Sequence, residues 1–149
     1  MKFKKLHENA KLPTQATTGS AGYDIYAVKE DFIASQTGPI WEYSTGLAVE
    51  IPKDFVGLLC ARSSVTKKTT LSLGNCVGII DSDYRGEMKF QFRDMKGMGA
   101  PTKRFDLTQA IGQLVVVPYH SSPAEFVDNL SETTRGTSGF GSTDQKDKK

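Results

Sequence analysis

The sequence has few cysteines and no long apolar run, and each absence excludes a class of protein. Its two cysteines, Cys60 and Cys76, form neither a CxxC pair nor the framework of a disulfide-rich secreted domain. No stretch approaches the roughly 20 apolar residues that cross a membrane, and residues 1–6 alternate charged with apolar side chains instead of forming a secretory signal. We therefore expect two buried free thiols in a soluble cytoplasmic protein with no membrane partner.

Strong charge of one sign is also missing. The chain carries 19 basic and 17 acidic residues, a formal net charge of +2, so it has no strong field with which to hold a nucleic-acid polymer through its phosphates. Its two histidines, His7 and His120, have neither metal-ligand spacing nor a serine and an acid nearby, and we assign them no catalytic role. A small anion is a better candidate ligand than DNA.

Short apolar segments, mostly with a period of two, predict β-strands. Turn-forming residues separate them, and the gaps leave no room for the crossover connections that parallel strands need. The fold class that follows is all-β, a jelly-roll-like barrel or a sandwich. The clearest strand segments are Phe55–Ala61, Cys76–Ile80, Met88–Phe92 and Ile111–Val117.

Helical structure is scarce in the sequence. Ser64–Thr69 has room for at most one short helix, for which Ser63 is a candidate N-cap. Beyond residue 130 the chain is rich in glycine, serine, threonine and charged residues and has almost no apolar ones. We expect one folded domain over residues 1–130 and a mobile C-terminal tail over residues 131–149.

The segment Gly74–Gly86 predicts a hairpin with an acidic tip. Because aspartate and serine are ordinary turn residues, the segment taken alone is most simply a solvated loop. The catalytic alternative is that Asp81, at a strand end, orients and deprotonates a water for hydrolysis at phosphorus. Tyr84 would then offer a surface to a sugar, or would merely pack as a cross-strand aromatic. The glycines would let a planar base approach the backbone closely.

Two shorter segments hold polar side chains at or near predicted strands. Arg62, Ser63 and Ser64 follow an apolar strand, where a guanidinium and two hydroxyls suit phosphate oxygens, although a strand-end arginine with a serine cap is commoner. Asp24 lies inside a short predicted strand, where it would hold a metal-bound water or simply hydrogen-bond a neighbouring loop. Neither segment identifies a function by itself.

The tail carries a motif rich in glycine and hydroxyl groups, RGTSGFGST, from Arg135 to Thr143. Backbone donors freed by glycine, the hydroxyls and one arginine suit a phosphate, but the motif is not a Walker A loop because no Gly-Lys-Ser/Thr follows the glycines. Its composition is otherwise typical of a disordered linker. Phe140 is the exception, and a nucleobase would stack on it with a gain of about 1–3 kcal/mol.

Five segments of the sequence resemble the five motifs of the trimeric dUTPase family, in the family's order. Motif one is resembled by AGYDIYA, motif two by ARSS, motif three by GNCVGIIDSDYRG and motif five by RGTSGFGST, and AIGQ at residues 110–113 is similar to motif four. The resemblance covers residues 21–143. It implies an Mg²⁺-dependent hydrolase, acting on an acid anhydride, that converts dUTP to dUMP and pyrophosphate, limits uracil incorporation into DNA and supplies dUMP for dTMP synthesis. It also implies a jelly-roll homotrimer whose sites combine motifs one, two and four of one chain, motif three of a second and the tail of a third.

The resemblance also assigns roles to single residues. Asp81 would activate the attacking water and contact the sugar 3'-hydroxyl, while Tyr84 would lie against the deoxyribose and exclude a 2'-hydroxyl. Asp24 would hold Mg²⁺ through water while the triphosphate ligates the ion. Uracil would be read by Asn75 and by the backbone of residues 77–80, including Val77, Gly78 and Ile80. The phosphates, the water and the face of the base would be contacted by Arg62, Ser63, Ser64, Gln113, Arg135, Phe140, Gly141, Ser142 and Thr143.

Some positions depart from the family pattern. Ala61 stands where motif two usually has proline, and Thr108, Gln109, Ala110 and Gly112 replace four of the six residues of Gly-Asp-Arg-Ile-Ala-Gln in motif four. Two alternative functions remain open: a dCTP deaminase, which shares the fold but needs a catalytic glutamate and lacks the tail motif, and a nucleotide-binding or regulatory module without activity. The acidic tip and the intact tail favour the hydrolase.

Overall fold

The computed structural model describes residues 1–95 and 103–139, which form two packed antiparallel sheets and one short helix. The expected all-β, jelly-roll-like class is confirmed. The elements in chain order are β1 (Lys2–Lys5), β2 (Gly22–Tyr26), β3 (Lys29–Ile33), β4 (Ile40–Glu50), β5 (Phe55–Cys60), α1 (Val65–Lys68), β6 (Leu71–Leu73), β7 (Gly78–Ile80), β8 (Glu87–Asp94) and β9 (Ala110–Pro118).

Successive strands lie in alternate sheets for most of the chain. The first sheet has the order β1-β4-β8-β6, with β3 also paired to β4, and the second has the order β2-β9-β5-β7. From β4 to β9 each connection therefore crosses from one sheet to the other. This crossing places the turns at the open ends of the sandwich, where their side chains are available to a ligand.

The core lies between the two sheets and follows the period of two along each strand. In β8 Met88, Phe90 and Phe92 are fully buried while Lys89 and Gln91 face solvent. Fully buried apolar side chains of the second sheet, among them Ile25, Ile111 and Leu114, pack against them. Burial of each such side chain stabilises the fold by about 1.5–3 kcal/mol.

The helix is shorter than the sequence suggested and begins differently. Val65–Lys68 is helical, and Ser64 occupies the N-cap without a side-chain capping hydrogen bond, so the expectation of a Ser63 cap is wrong. The turn is held at its other end, where the Thr69 hydroxyl donates to the Val65 carbonyl oxygen at 2.9 Å. No helix within the described ranges is long and apolar enough to cross a membrane.

The two cysteines are free thiols, but only one of them is shielded from solvent. Cys60 is half-buried at the end of β5, whereas Cys76 is exposed. Cys76 lies in the turn between β6 and β7 with φ of 63°. It is therefore not part of a strand that packs into the core. The expectation that both thiols are buried is therefore wrong, since Cys76 is exposed and Cys60 is only half-buried.

Candidate functional site

The turn between β6 and β7 carries the chain from one sheet to the other. Cys76 takes the left-handed backbone conformation there, and its N–H donates to the Leu73 carbonyl at 3.2 Å. The Val77 N–H donates to the Asn75 carbonyl at 2.7 Å, which closes a second, tighter turn. Gly78 then enters β7, an edge strand that pairs only with β5 in the sheet order. Backbone groups of this edge strand are therefore placed beside the turn.

The acidic segment after β7 is a turn between sheets, and the hairpin expected from sequence is wrong. Its flanking strands, β7 and β8, pair with strands of opposite sheets. The physical reason is that Ile80 and Met88 both fill the core, from opposite sides of the sandwich. Within the turn the Tyr84 N–H donates to the Asp81 carbonyl at 3.1 Å, and the Tyr84 hydroxyl donates to the Glu87 carbonyl at 3.0 Å. The Tyr84 ring covers Gly86, where any Cβ would overlap it.

These residues surround a cavity of about 290 Å³, called here the turn cavity. Asp81 and Asn75 are exposed in it, and Tyr84 remains 43% exposed. The structure thus brings together five of the candidate site residues. They are Asn75, Gly78, Ile80, Asp81 and Tyr84, while Val77 lies in the same turn but outside the cavity wall.

A second group of candidate residues meets where β2, β9 and the end of β5 lie side by side. Asp24 is opposite Gln113 in the pairing of β2 with β9, and Gln113 is opposite Cys60 in the pairing of β9 with β5. The Arg62 Nε lies 3.2 Å from the Asp24 carboxylate, and an Arg62 Nη donates to the Ala110 carbonyl at 3.4 Å. The Gln113 amide donates to the Ala61 carbonyl at 3.2 Å. Motifs one, two and four therefore form one interlocked unit.

This unit borders a cavity of about 240 Å³, called here the strand-end cavity. Asp24, Arg62 and Ser64 line it, whereas Ser63 is exposed and lies outside its wall. Lys68, from the last turn of α1, adds a second cation that the sequence reasoning missed. Its spacing of four residues from Ser64 on a helical turn is the signal that would have found it.

The two cavities share no lining residue among the described parts of the chain. A single chain therefore presents the candidate residues as two separate groups. The tail residue Arg135 donates to the Ser138 carbonyl at 2.9 Å and is exposed. The remaining expected tail residues, Phe140, Gly141, Ser142 and Thr143, lie outside the described residues.

The charges of the strand-end cavity suit a metal ion that arrives bound to phosphates, because two neighbouring cations would repel a free metal ion. Asp24 is one carboxylate with a guanidinium beside it, and Lys68 adds further positive charge. Within residues 1–95 and 103–139 no cluster of three or more His, Cys, Asp or Glu side chains has the arrangement of a metal site. Mg²⁺ is commonly held by one or two carboxylates, waters and substrate phosphates, and Asp24 suits contact through a water.

The alternating sheets with polar turns at their ends define a jelly-roll protein with ligand-sized clefts. A family model described as dUTPase matches residues 8–144, and the chain belongs to the dUTPase family. It is 37% identical over 143 residues to the deoxyuridine 5'-triphosphate nucleotidohydrolase of Acinetobacter baylyi, covering 95% of this chain and 93% of that protein. The enzyme of the same name from Desulfitobacterium hafniense is 40% identical over 134 residues, covering 89% and 87%.

A solved structure supports the same assignment. The dUTPase of Staphylococcus bacteriophage 80α, determined with dUpNHpp, is similar to this chain with a TM-score of 0.76 and 27% sequence identity. The match covers 95% of this chain and 96% of that chain. The likeness therefore extends over nearly the whole fold.

Proposed function

We propose that this protein hydrolyses dUTP to dUMP and pyrophosphate with Mg²⁺. The observation that carries the proposal is the turn cavity, where an edge strand, an exposed carboxylate and a tyrosine lie together. Membership of the dUTPase family supports the reaction, and the structure of a related phage enzyme with dUpNHpp supports the ligand class.

Uracil is read in this proposal by the backbone of residues 77–80 and by Asn75. A flat base can hydrogen-bond to an edge strand because the unpaired backbone N–H and C=O groups of that strand face outward. Tyr84 lies against the deoxyribose and excludes a 2'-hydroxyl, and its packing over Gly86 and its hydrogen bond to the Glu87 carbonyl hold the ring in place. A site with fixed hydrogen-bonding groups rejects a mismatched ligand because its own polar groups are left unpaired.

Asp81 is the proposed general base. Its carboxylate removes a proton from a water that attacks the α-phosphorus, the bond from that phosphorus to the bridging oxygen breaks, and pyrophosphate leaves. The phosphates or the attacking water are held in line by Arg62, Ser63, Ser64, Gln113 and Lys68. Mg²⁺, when bound to the triphosphate near Asp24, neutralises phosphate charge. Positioning and charge neutralisation supply most of the rate in such reactions.

The complete site requires more than one chain. Since the turn cavity and the strand-end cavity share no lining residue, a neighbouring copy is proposed to bring its strand-end cavity against the turn cavity of the first. A homotrimer with three shared sites satisfies this requirement. Residues 131–149 act as a lid outside the folded domain of residues 1–130, with Arg135, Ser142 and Thr143 on the γ-phosphate and Phe140 and Gly141 at the base.

The proposed role is in the cytoplasmic nucleotide pool, where dUTP hydrolysis limits uracil incorporation into DNA and supplies dUMP. Pyrophosphate release, measured with Mg²⁺ across dUTP, dCTP, dTTP and UTP, tests the activity. Release from dUTP alone is the expected result. Ammonia release from dCTP would indicate a deaminase, and binding without turnover would indicate an inactive module, and either outcome would contradict the proposal.

A further inference from the structure

Residues 103–109, called here the strap, lead into β9. The strap is tied to the helix region at its beginning, where the Thr70 N–H donates to the Lys103 carbonyl at 3.0 Å and the Lys103 N–H donates to the Thr70 hydroxyl at 3.1 Å. It leads into Ala110, the first residue of β9, the carbonyl of which accepts the hydrogen bond from Arg62. The strap therefore joins the region of α1 to the strand-end cavity.

Arg104 is anchored to the first sheet by two contacts. The carbon of its guanidinium lies 4.5 Å from the centroid of the Trp41 ring, a cation–π contact. The same guanidinium pairs with the Glu30 carboxylate, which also accepts a hydrogen bond from the Tyr43 hydroxyl. Burial and the neighbouring Glu30 carboxylate raise the pKa of Tyr43, so its hydroxyl remains a donor to that carboxylate. Arg104 is thus held by the face of the Trp41 ring and by the Glu30 carboxylate, which the Tyr43 hydroxyl holds in turn.

Phe105, the residue after Arg104, contacts both the aromatic core and the strand-end cavity. Its ring lies edge-on to Tyr43, with centroids 5.4 Å apart, and 5.0 Å from the ring of Phe92. Phe105 also lines the strand-end cavity beside Arg62. The next turn is closed by Asp106, the carboxylate of which accepts the Thr108 N–H at 2.8 Å. Phe105 therefore links the anchored Arg104 to the cavity wall, and Ala110 beyond the strap meets Arg62.

Arg104 lies outside the wall of the strand-end cavity, whereas the next residue, Phe105, lines that wall. We infer that Arg104 is a positioning residue that holds the strap, and through it the phosphate-binding side of the site, in place. The inference rests on the proposed function, because it takes the strand-end cavity to bind phosphates.

Comparing the binding of a triphosphate analogue with that of dUMP distinguishes a positioning role of Arg104 from a general effect on protein stability. The full-length protein is titrated with the non-hydrolysable α,β-imido analogue of dUTP plus Mg²⁺, and separately with dUMP. Arg104→Ala is expected to raise the Kd of the analogue about 10-fold or more while the Kd of dUMP stays within about twofold, because dUMP lacks the β- and γ-phosphates. The value of kcat/KM for dUTP should fall about 10- to 100-fold, the scale on which small misplacements act.

Two further variants sharpen the result. Arg104→Lys keeps the charge but loses the planar guanidinium that stacks on Trp41, so it should give an intermediate Kd for the analogue. Lys103→Ala removes a neighbouring exposed cation that contacts Thr70 through its backbone, so it should behave as the wild type. Trp41 is the single tryptophan of the sequence, and a change in its fluorescence reports whether Arg104→Ala has released the contact.

An unchanged Kd of the analogue in Arg104→Ala, with altered Trp41 fluorescence, would overturn the inference. Equal weakening of the analogue and of dUMP would also overturn it, because that pattern indicates a general loss of structure. Failure of the wild-type protein itself to bind the analogue would instead contradict the proposed function. The two failures are therefore distinguishable.

Discussion

The turn cavity and the strand-end cavity are built in different ways. In the first, backbone that bends between the sheets brings Asn75, Asp81 and Tyr84 to one cavity, with Asp81 exposed. In the second, Arg62 pairs with Asp24 of β2 and donates a hydrogen bond to the Ala110 carbonyl of β9, so its guanidinium is held across neighbouring strands. A long arginine side chain loses conformational freedom when it grips a ligand, and an ion pair that holds it beforehand reduces that loss. In the turn cavity the ion pair joins Lys89 of β8 to Glu42 of β4, whereas the residues proposed to read the base lie on the edge strand and in the turns.

The largest expected effect is on choice of the base. Since the turn cavity is proposed to present fixed backbone donors and acceptors to uracil, kcat/KM should be about 10⁴-fold higher for dUTP than for dCTP. Steady-state pyrophosphate assays at matched Mg²⁺ measure the ratio. Comparable hydrolysis of dCTP would show that the edge strand does not select the base.

Asp81→Asn should lower kcat by about 10²- to 10⁴-fold, the usual contribution of a general base. The amide still accepts a hydrogen bond, so binding of the non-hydrolysable analogue should change little. Asp83→Asn is the matched control, since Asp83 lies in the same turn outside the cavity wall. Near-normal turnover in Asp81→Asn would remove the proposed mechanism.

Arg62→Ala should lower kcat/KM for dUTP by about 10- to 100-fold, in line with the roughly 1.5–3 kcal/mol of a hydrogen bond to a charged group. Affinity for dUMP should fall less, which would separate the two cavities functionally. Lys29→Ala is a control, because it removes a cation paired with Asp31 on β3. Equal losses for dUTP and dUMP would mean that Arg62 supports the whole fold and not the phosphates.

The smallest effect is expected on stability, at Gly112. This glycine replaces the alanine of the family motif, and a Cβ there would overlap the ring of Phe90, which occupies the space. Gly112→Ala should therefore reduce the free energy of unfolding by about 1–3 kcal/mol. Chemical denaturation measures this free energy of unfolding. The double variant with Phe90→Leu should lose less free energy of unfolding than the sum of the losses in the two single variants, because the two residues are in contact. Strict additivity would contradict the proposed contact.

The sequence predicted the fold class well because burial alternates strictly along strands such as β8. It failed at the connections, since the pattern of Gly74–Gly86 is the same for a hairpin and for a turn between sheets. Which sheet a strand joins depends on packing between distant residues, as with Ile80 and Met88. The motifs placed Asp24, Arg62 and Asp81 at cavities, whereas Arg104 was missed because its partners Trp41 and Glu30 are more than 60 positions away in the chain.

A mixed trimer tests most directly whether the site is shared between chains. One chain lacks residues 131–149 but keeps Asp81, and the other is full-length with Asp81→Asn, so each alone should be inactive. Co-expressed chains, purified as verified mixed trimers, should recover dUTP hydrolysis in proportion to sites that receive Asp81 from one chain and the tail from another. Mixed trimers that remained inactive would contradict the shared site, because a tail serving its own chain's Asp81 never unites the two intact parts.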